Sequence, residues 1–180
     1  MLLTVFVATP VAAFYVTMST MARHETRRHG LPGHVSNGIQ HAYAGAETYW
    51  WLRQFGLPAS ASEKTVLRLG YLNEWVEALL FVRRPDTTRE LYKDLQNNFI
   101  GILAAQAVET CRTRQASSER LALIGQLAQE RLVLWLSDDA RVPGLPQPLN
   151  VRLAISHFKA NQASIRFVTV DAIAMHVAAC

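Results

Sequence analysis

The stretch Glu90-Leu-Tyr-Lys-Asp94-Leu-Gln-Asn97-Asn98-Phe-Ile-Gly101 decides how the chain is read. At helical spacing Asp94, Asn97, Asn98 and Gly101 fall at i, i+3, i+4 and i+7, so they share one stripe. Leu91, Leu95, Phe99, Ile102 and Leu103 cover most of the remaining surface. A helix that is apolar nearly all round belongs in a protein interior. A carboxylate and two amides would then be buried, and buried polar groups need polar partners. The spacing therefore predicts polar stripes on other helices that meet this one.

Two such stripes exist. Asn37, His41, Gly45 and Thr48 share a face of a helix predicted from Ser36, its cap, to about Gln54, where Gly56 and Pro58 stop it. Ile39, Tyr43, Ala46 and Trp50 form the apolar face of that helix. Ser60-Ala-Ser-Glu63 reads as a capping box opening a helix to about Val82, with Gly70, Glu74 and Glu77 on one stripe. Thr87-Thr-Arg-Glu90 is a second capping box and starts the helix of the quoted stretch, which reaches to about Arg112. A further helix runs from Ser117 through Leu136 and ends at Asp138 and Asp139, after which Pro143, Pro146 and Pro148 make an extended loop. Val151 to Lys159 reads as a short helix, and Ile165 to Val170 as a strand or a β-branched helical segment. The expected fold is all-α: a compact multi-helix domain over residues 34–180, preceded by an apolar N-terminal segment and closed by a short irregular or β-like tail.

The totals agree with one domain. A chain of 180 residues has room for a single real core, and 50% hydrophobic against 18% charged residues excludes disorder. The net charge of +4 owes much to Arg23, Arg27 and Arg28, and no basic run is interleaved with aromatics, which argues against nucleic-acid binding. Cys111 and Cys180 are the only cysteines, so one disulfide is allowed and a thiolate zinc site is excluded.

Residues Met1 to Met18 carry no charged side chain, and a membrane span needs ~20 apolar residues. The basic cluster Arg23 to His29 follows this run rather than preceding it, unlike a secretory signal. By the positive-inside rule the C-terminal end of such a span faces the cytoplasm. Residues 1–22 are thus expected to be a membrane anchor or a signal-like segment, with a helix packed on the domain as the plain alternative. The chain is expected to be membrane-associated or exported, and bacterial, with the membrane as its partner through that segment.

Each of the three striped helices pairs one ionisable residue with a glycine: His41 with Gly45, Glu74 with Gly70, Asp94 with Gly101. Glycine inside a helix costs ~1 kcal/mol relative to alanine, and its usual return is the close approach of another backbone or a ligand. A His, a Glu and an Asp gathered in a low-dielectric site are suited to acid/base chemistry.

In this order along the chain, His41, Glu74 and Asp94-Leu-Gln-Asn97-Asn98-Phe-Ile-Gly101 resemble the signature of an uncharacterised bacterial family. Its members read Arg-His, then His-Glu, then Asp-Leu-x-Asn-Asn-x-x-Gly, and occur often in secreted or toxin-like proteins. The resemblance spans about residues 36–104. Gln40 stands where the family has Arg, and Asn73 where it has His. The resemblance implies that His41, Glu74, Asp94, Asn97 and Asn98 form one site; it implies no established reaction.

Three functions compete. The first is a hydrolase acting on an envelope component, peptidoglycan or phospholipid. In it Glu74 is the acid or base, His41 activates water, Asp94 orients His41, and Asn97 and Asn98 bind substrate or an oxyanion. No GxSxG is present to supply a nucleophilic serine. The second is a Ca²⁺ or Mg²⁺ site, structural or catalytic, built from Asp94, Asn97, Asn98, Glu74 and Glu77, with zinc less expected because only one His accompanies these carboxylates. The third is a non-enzymatic, membrane-associated helical protein whose stripes are a buried polar network fixing helix register. Exposure separates them: a working site leaves His41 and Glu74 open, and a structural network closes over them.

Overall fold

The computed structural model describes residues 2–80, 88–111, 116–134 and 150–177, with the main chain alone for 2–12 and 77–80. Six helices account for nearly all of it: α1 (Leu2–Arg28), α2 (Val35–Gln54), α3 (Ala59–Leu80), α4 (Thr88–Thr110), α5 (Ser117–Gln129) and α6 (Val151–Val177). Among the described residues there is no strand.

The quoted stretch lies in α4, and α4 is the centre of the bundle. It packs against α2, α6, α3 and α5, and buries Leu91, Tyr92, Leu95, Phe99, Ile100, Ile102 and Leu103 on all sides of its axis. Its closest partner is α2. A side chain built on Gly101 would put its Cβ 1.7 Å from the Ala42 carbonyl oxygen, and one on Gly45 would stand 2.4 Å from the Asn98 carbonyl oxygen. Only two bare backbones fit there, so both glycines return the close approach expected of them. Gly70 is different: its Cβ would meet nothing nearer than the Asn98 amide nitrogen at 3.4 Å.

The C-terminal half departs from expectation. The β-like tail is instead a single 27-residue helix, α6. Its buried positions, Val151, Ala154, Phe158, Thr169, Ala172 and Ile173, keep helical spacing along α4. Phe158 stands edge-on to Tyr71, Tyr92 and Phe99, with ring centroids 6.3, 6.4 and 5.8 Å away. The segment Ile165 to Val170 continues that helix, the β-branched helical one of its two expected forms. Thr169 is buried there and Phe167, Val168 and Val170 are exposed, as β-propensity depends on context. Helix α5 also ends early, at Gln129 rather than near Asp138. Arg131 takes a left-handed φ of 59°, and the Leu132 amide reaches back to the Leu127 carbonyl at 3.0 Å. This pattern closes a helix. The expected proline loop lies outside the described residues.

Two expected caps serve elsewhere. Ser36 is inside α2 and donates to the Gly33 carbonyl at 2.8 Å, and Glu63 turns its carboxylate to Arg166 of α6 and Gln106 of α4. Thr87 lies outside the described residues. In α5, by contrast, the Glu119 carboxylate does accept the Ala116 N–H at 3.3 Å.

Helix α1 enters the bundle from Met18 onward. Met18, Ala22, Glu25 and Thr26 are buried, and α1 packs on α2 and α5. Among the described residues no helix is long and apolar enough to cross a membrane, so the expected transmembrane helix is not found there. Most of the apolar run, residues 2–12, belongs to the part whose side chains are not described. Cys111 is disulfide-bonded; the chain's other cysteine, Cys180, lies outside the described residues.

Candidate functional site

Helices α2, α3 and α4 bring His41, Glu74 and Asp94 together. One ligand atom from each, an imidazole nitrogen and two carboxylate oxygens, lies within 4.8 Å of the other two. The close α2/α4 crossing sets this up, because His41 is one residue from Ala42 and Asp94 is one turn before Asn98 on the same stripes. His41 Nε2 stands 3.6 Å from Asp94 Oδ1. The His41 and Asp94 side chains keep 19% and 13% of their exposure, whereas Glu74 is fully buried at 0%.

A fourth group was not foreseen. Lys93 is buried, with its Nζ 3.5 Å from Asp94 Oδ1, in contact with Glu90, and donating to Asn37 Oδ1 at 3.1 Å. Burial pulls its ammonium down, but the charges of Asp94 and Glu90 and the Glu90 hydrogen bond outweigh that, so its pKa is raised above 10.5. The signal was available: Lys93 adjoins Asp94 on a helix with little room for a solvent face, and Asn37 shares the stripe of His41.

The two asparagines separate. Asn97 is fully buried and its amide is committed to the main chain of Leu134: Oδ1 accepts the Leu134 N–H at 2.8 Å, and Nδ2 donates to the Leu134 carbonyl at 3.1 Å. Both ends of the amide are thus turned to main chain rather than to the His41/Glu74/Asp94 cluster. Asn98 sits between α2 and α3, its carbonyl under Gly45 and its amide beside Gly70. The side chain of Glu77 lies outside the described residues.

Chemically the arrangement offers one basic nitrogen and two carboxylates, with a buried ammonium as counter-charge. It can move a proton, orient a water or hold a divalent cation. Comparison of the chain with protein-family models, with curated proteins and with solved structures finds no match.

Proposed function

We propose that the chain is a hydrolase acting on a cell-envelope component through His41, Glu74 and Asp94. The observation that carries this reading is the convergence of the three groups to within 4.8 Å, with His41 and Asp94 still partly exposed. His41 takes a proton from water and returns it to the leaving group, Asp94 holds the imidazole and offsets the charge it gains, and Glu74, fully buried, acts behind them rather than on the substrate. An inverting cleavage of a glycan needs carboxyl groups about 6.5–9.5 Å apart with water between them. The tighter cluster here favours ester hydrolysis of a phospholipid, or a retaining route on peptidoglycan. The disulfide at Cys111 supports an exported domain over one held on the cytoplasmic side of an N-terminal span, because disulfides persist in oxidising compartments.

One observation favours a second reading, a polar network that fixes helix register. Glu74 is closed off completely, and Lys93 is already tied to Asp94, Glu90 and Asn37. Asp94→Asn separates the two, since it keeps the shape and removes the charge. A working site loses phospholipid or peptidoglycan hydrolysis while stability holds or rises, because active sites are often kept at a cost in stability. A structural network loses several kcal/mol; if the wild-type chain also hydrolyses neither substrate, the hydrolase reading is dropped.

A further inference from the structure

We propose that His41 Nε2, Asp94 Oδ1 and the Glu74 carboxylate bind one Zn²⁺ ion. This rests on reading the three residues as a single site, though not on the reaction assigned to it.

Spacing carries the argument. A charge-assisted hydrogen bond between an imidazole and a carboxylate closes to about 2.7–2.9 Å, whereas His41 Nε2 and Asp94 Oδ1 stand 3.6 Å apart. Two ligands of one tetrahedral zinc, each about 2.1 Å from the metal, are about 3.4 Å from each other. The pair is therefore too far apart for a close hydrogen bond and near the edge length of a zinc polyhedron. Glu74, from a different helix, brings a carboxylate oxygen within 4.8 Å, and closes inward toward the edge of about 3.4 Å when zinc is held.

Donor chemistry narrows the ion. Ca²⁺ takes about 6–8 oxygens, and the amide oxygen of Asn97, which would have been one of them, is held by the Leu134 N–H. An imidazole nitrogen is a ligand for zinc and its neighbours rather than for Ca²⁺ or Mg²⁺. Three protein ligands leave zinc one position for a water, as in catalytic sites. Two carboxylates whose oxygens come this close inside a protein repel each other, which a cation between them relieves. Lys93 already offsets part of that charge and competes with the ion, while its existing contacts with Glu90 and Asn37 hold its ammonium when it gives up Asp94.

The test uses the full chain, stripped with a chelator and titrated with ZnCl₂, Mn²⁺, Ca²⁺ or Mg²⁺ by calorimetry, with metal content measured after gel filtration. The expected result is one zinc per chain, a raised melting temperature, and preference for Zn²⁺ over Ca²⁺ and Mg²⁺. His41→Gln and Asp94→Asn should each weaken zinc binding by tenfold or more. Lys93→Met should tighten it by about tenfold, since it removes a competing positive charge. Cobalt substitution gives a second readout: its visible bands should change in His41→Gln at equal folded fraction, judged by circular dichroism. No zinc bound by the wild type, or binding unchanged in His41→Gln and Asp94→Asn, overturns the proposal. Zinc bound with no hydrolysis of either substrate overturns the hydrolase reading and leaves this one standing. Hydrolysis by a chain that binds no zinc does the reverse.

Discussion

Asn97 pairs with Leu134 as one β-strand residue pairs with another, accepting its N–H at 2.8 Å and donating to its carbonyl at 3.1 Å. A side-chain amide has both groups at the spacing that a peptide unit needs, so it can satisfy a buried main-chain segment that no helix or sheet covers. Leaving a buried donor or acceptor unmet costs about 1–3 kcal/mol each. Asn97→Leu should therefore lose about 2–4 kcal/mol, and Asn97→Asp at least as much, because a carboxylate would face the Leu134 carbonyl. Urea unfolding checks this. A loss below about 0.5 kcal/mol would show that Leu134 finds other partners.

The glycines of α2, α3 and α4 make opposite predictions for the same substitution. Gly→Ala in a helix interior gains up to about 1 kcal/mol when there is room. Gly70→Ala has room, meeting the Asn98 amide at 3.4 Å and Leu95 Cδ2 at 3.8 Å, so it should be neutral or slightly stabilising. Gly101→Ala would put a methyl 1.7 Å from the Ala42 carbonyl and must force α2 and α4 apart. Overpacking of this kind costs about 1–3 kcal/mol, occasionally more, and here it acts on backbone that cannot turn aside. Melting temperatures of the two variants should move apart, with Gly101→Ala far below wild type.

The two glycines that mark the helix crossing, and the His41/Glu74/Asp94 cluster, were legible for one reason. The helical period is fixed, so residues three and four apart share a face wherever the helix goes. What escaped was set by contacts between distant segments. Asn97 looked like a substrate ligand because its true partner is main chain, 37 residues on, and main chain leaves no mark in the sequence. Lys93 is only faintly marked, since a lysine beside an aspartate on a helix is an ordinary surface pattern until Asn37 and Glu90 close around it. The branched residues Ile165 to Val170 fit a strand or a helix equally by pattern, and what decides for helix is burial of Thr169, Ala172 and Ile173 at helical spacing, which only the folded bundle supplies. Gly56 stands at the end of α2 with a positive φ, where the sequence places the stop; Arg131 does the same work at the end of α5 without a glycine, so the apolar pattern alone carries that helix on to Asp138.

Arg120 and Glu47 form a second buried ionic unit, away from the candidate site. Arg120 Nε and a terminal guanidinium nitrogen donate to the two oxygens of Glu47 at 2.7 and 2.9 Å, and the guanidinium lies 4.6 Å from the Trp50 ring centre. Removing one member of a buried pair costs about 3–5 kcal/mol, because the other charge is left uncompensated, whereas replacing both with apolar groups is often neutral. Glu47→Leu should be strongly destabilising, and Glu47→Leu with Arg120→Met should recover most of the loss. A double-mutant cycle in urea measures this. If the double variant is as unstable as the sum of the singles, Arg120 acts through packing on Trp50 rather than through Glu47.

Alkali should weaken the fold through two tyrosines. Burial first, then the hydrogen bond to Glu109 and the charge of Glu109, push the Tyr49 phenol from its ordinary 10 up to about 12, with Arg53 opposing. Burial alone takes Tyr92 to about 12. In both cases the folded value lies above the unfolded one, so the stabilisation is complete below pH 10 and is lost as pH rises toward 12. In that window the unfolded chain has already released protons that the folded chain still holds, and stability falls with pH. Two pKa units correspond to about 2–3 kcal/mol for each phenol. The raised ammonium of Lys93 acts in the same sense, so the tyrosine share is isolated by Tyr49→Phe and Tyr92→Phe, each of which should flatten the decline. Burial raises Tyr43 and Tyr71 as well, so phenolate absorbance is read as the difference between wild type and Tyr49→Phe or Tyr92→Phe; Tyr49 and Tyr92 both titrating near pH 10 in the folded chain would refute the buried-phenol account.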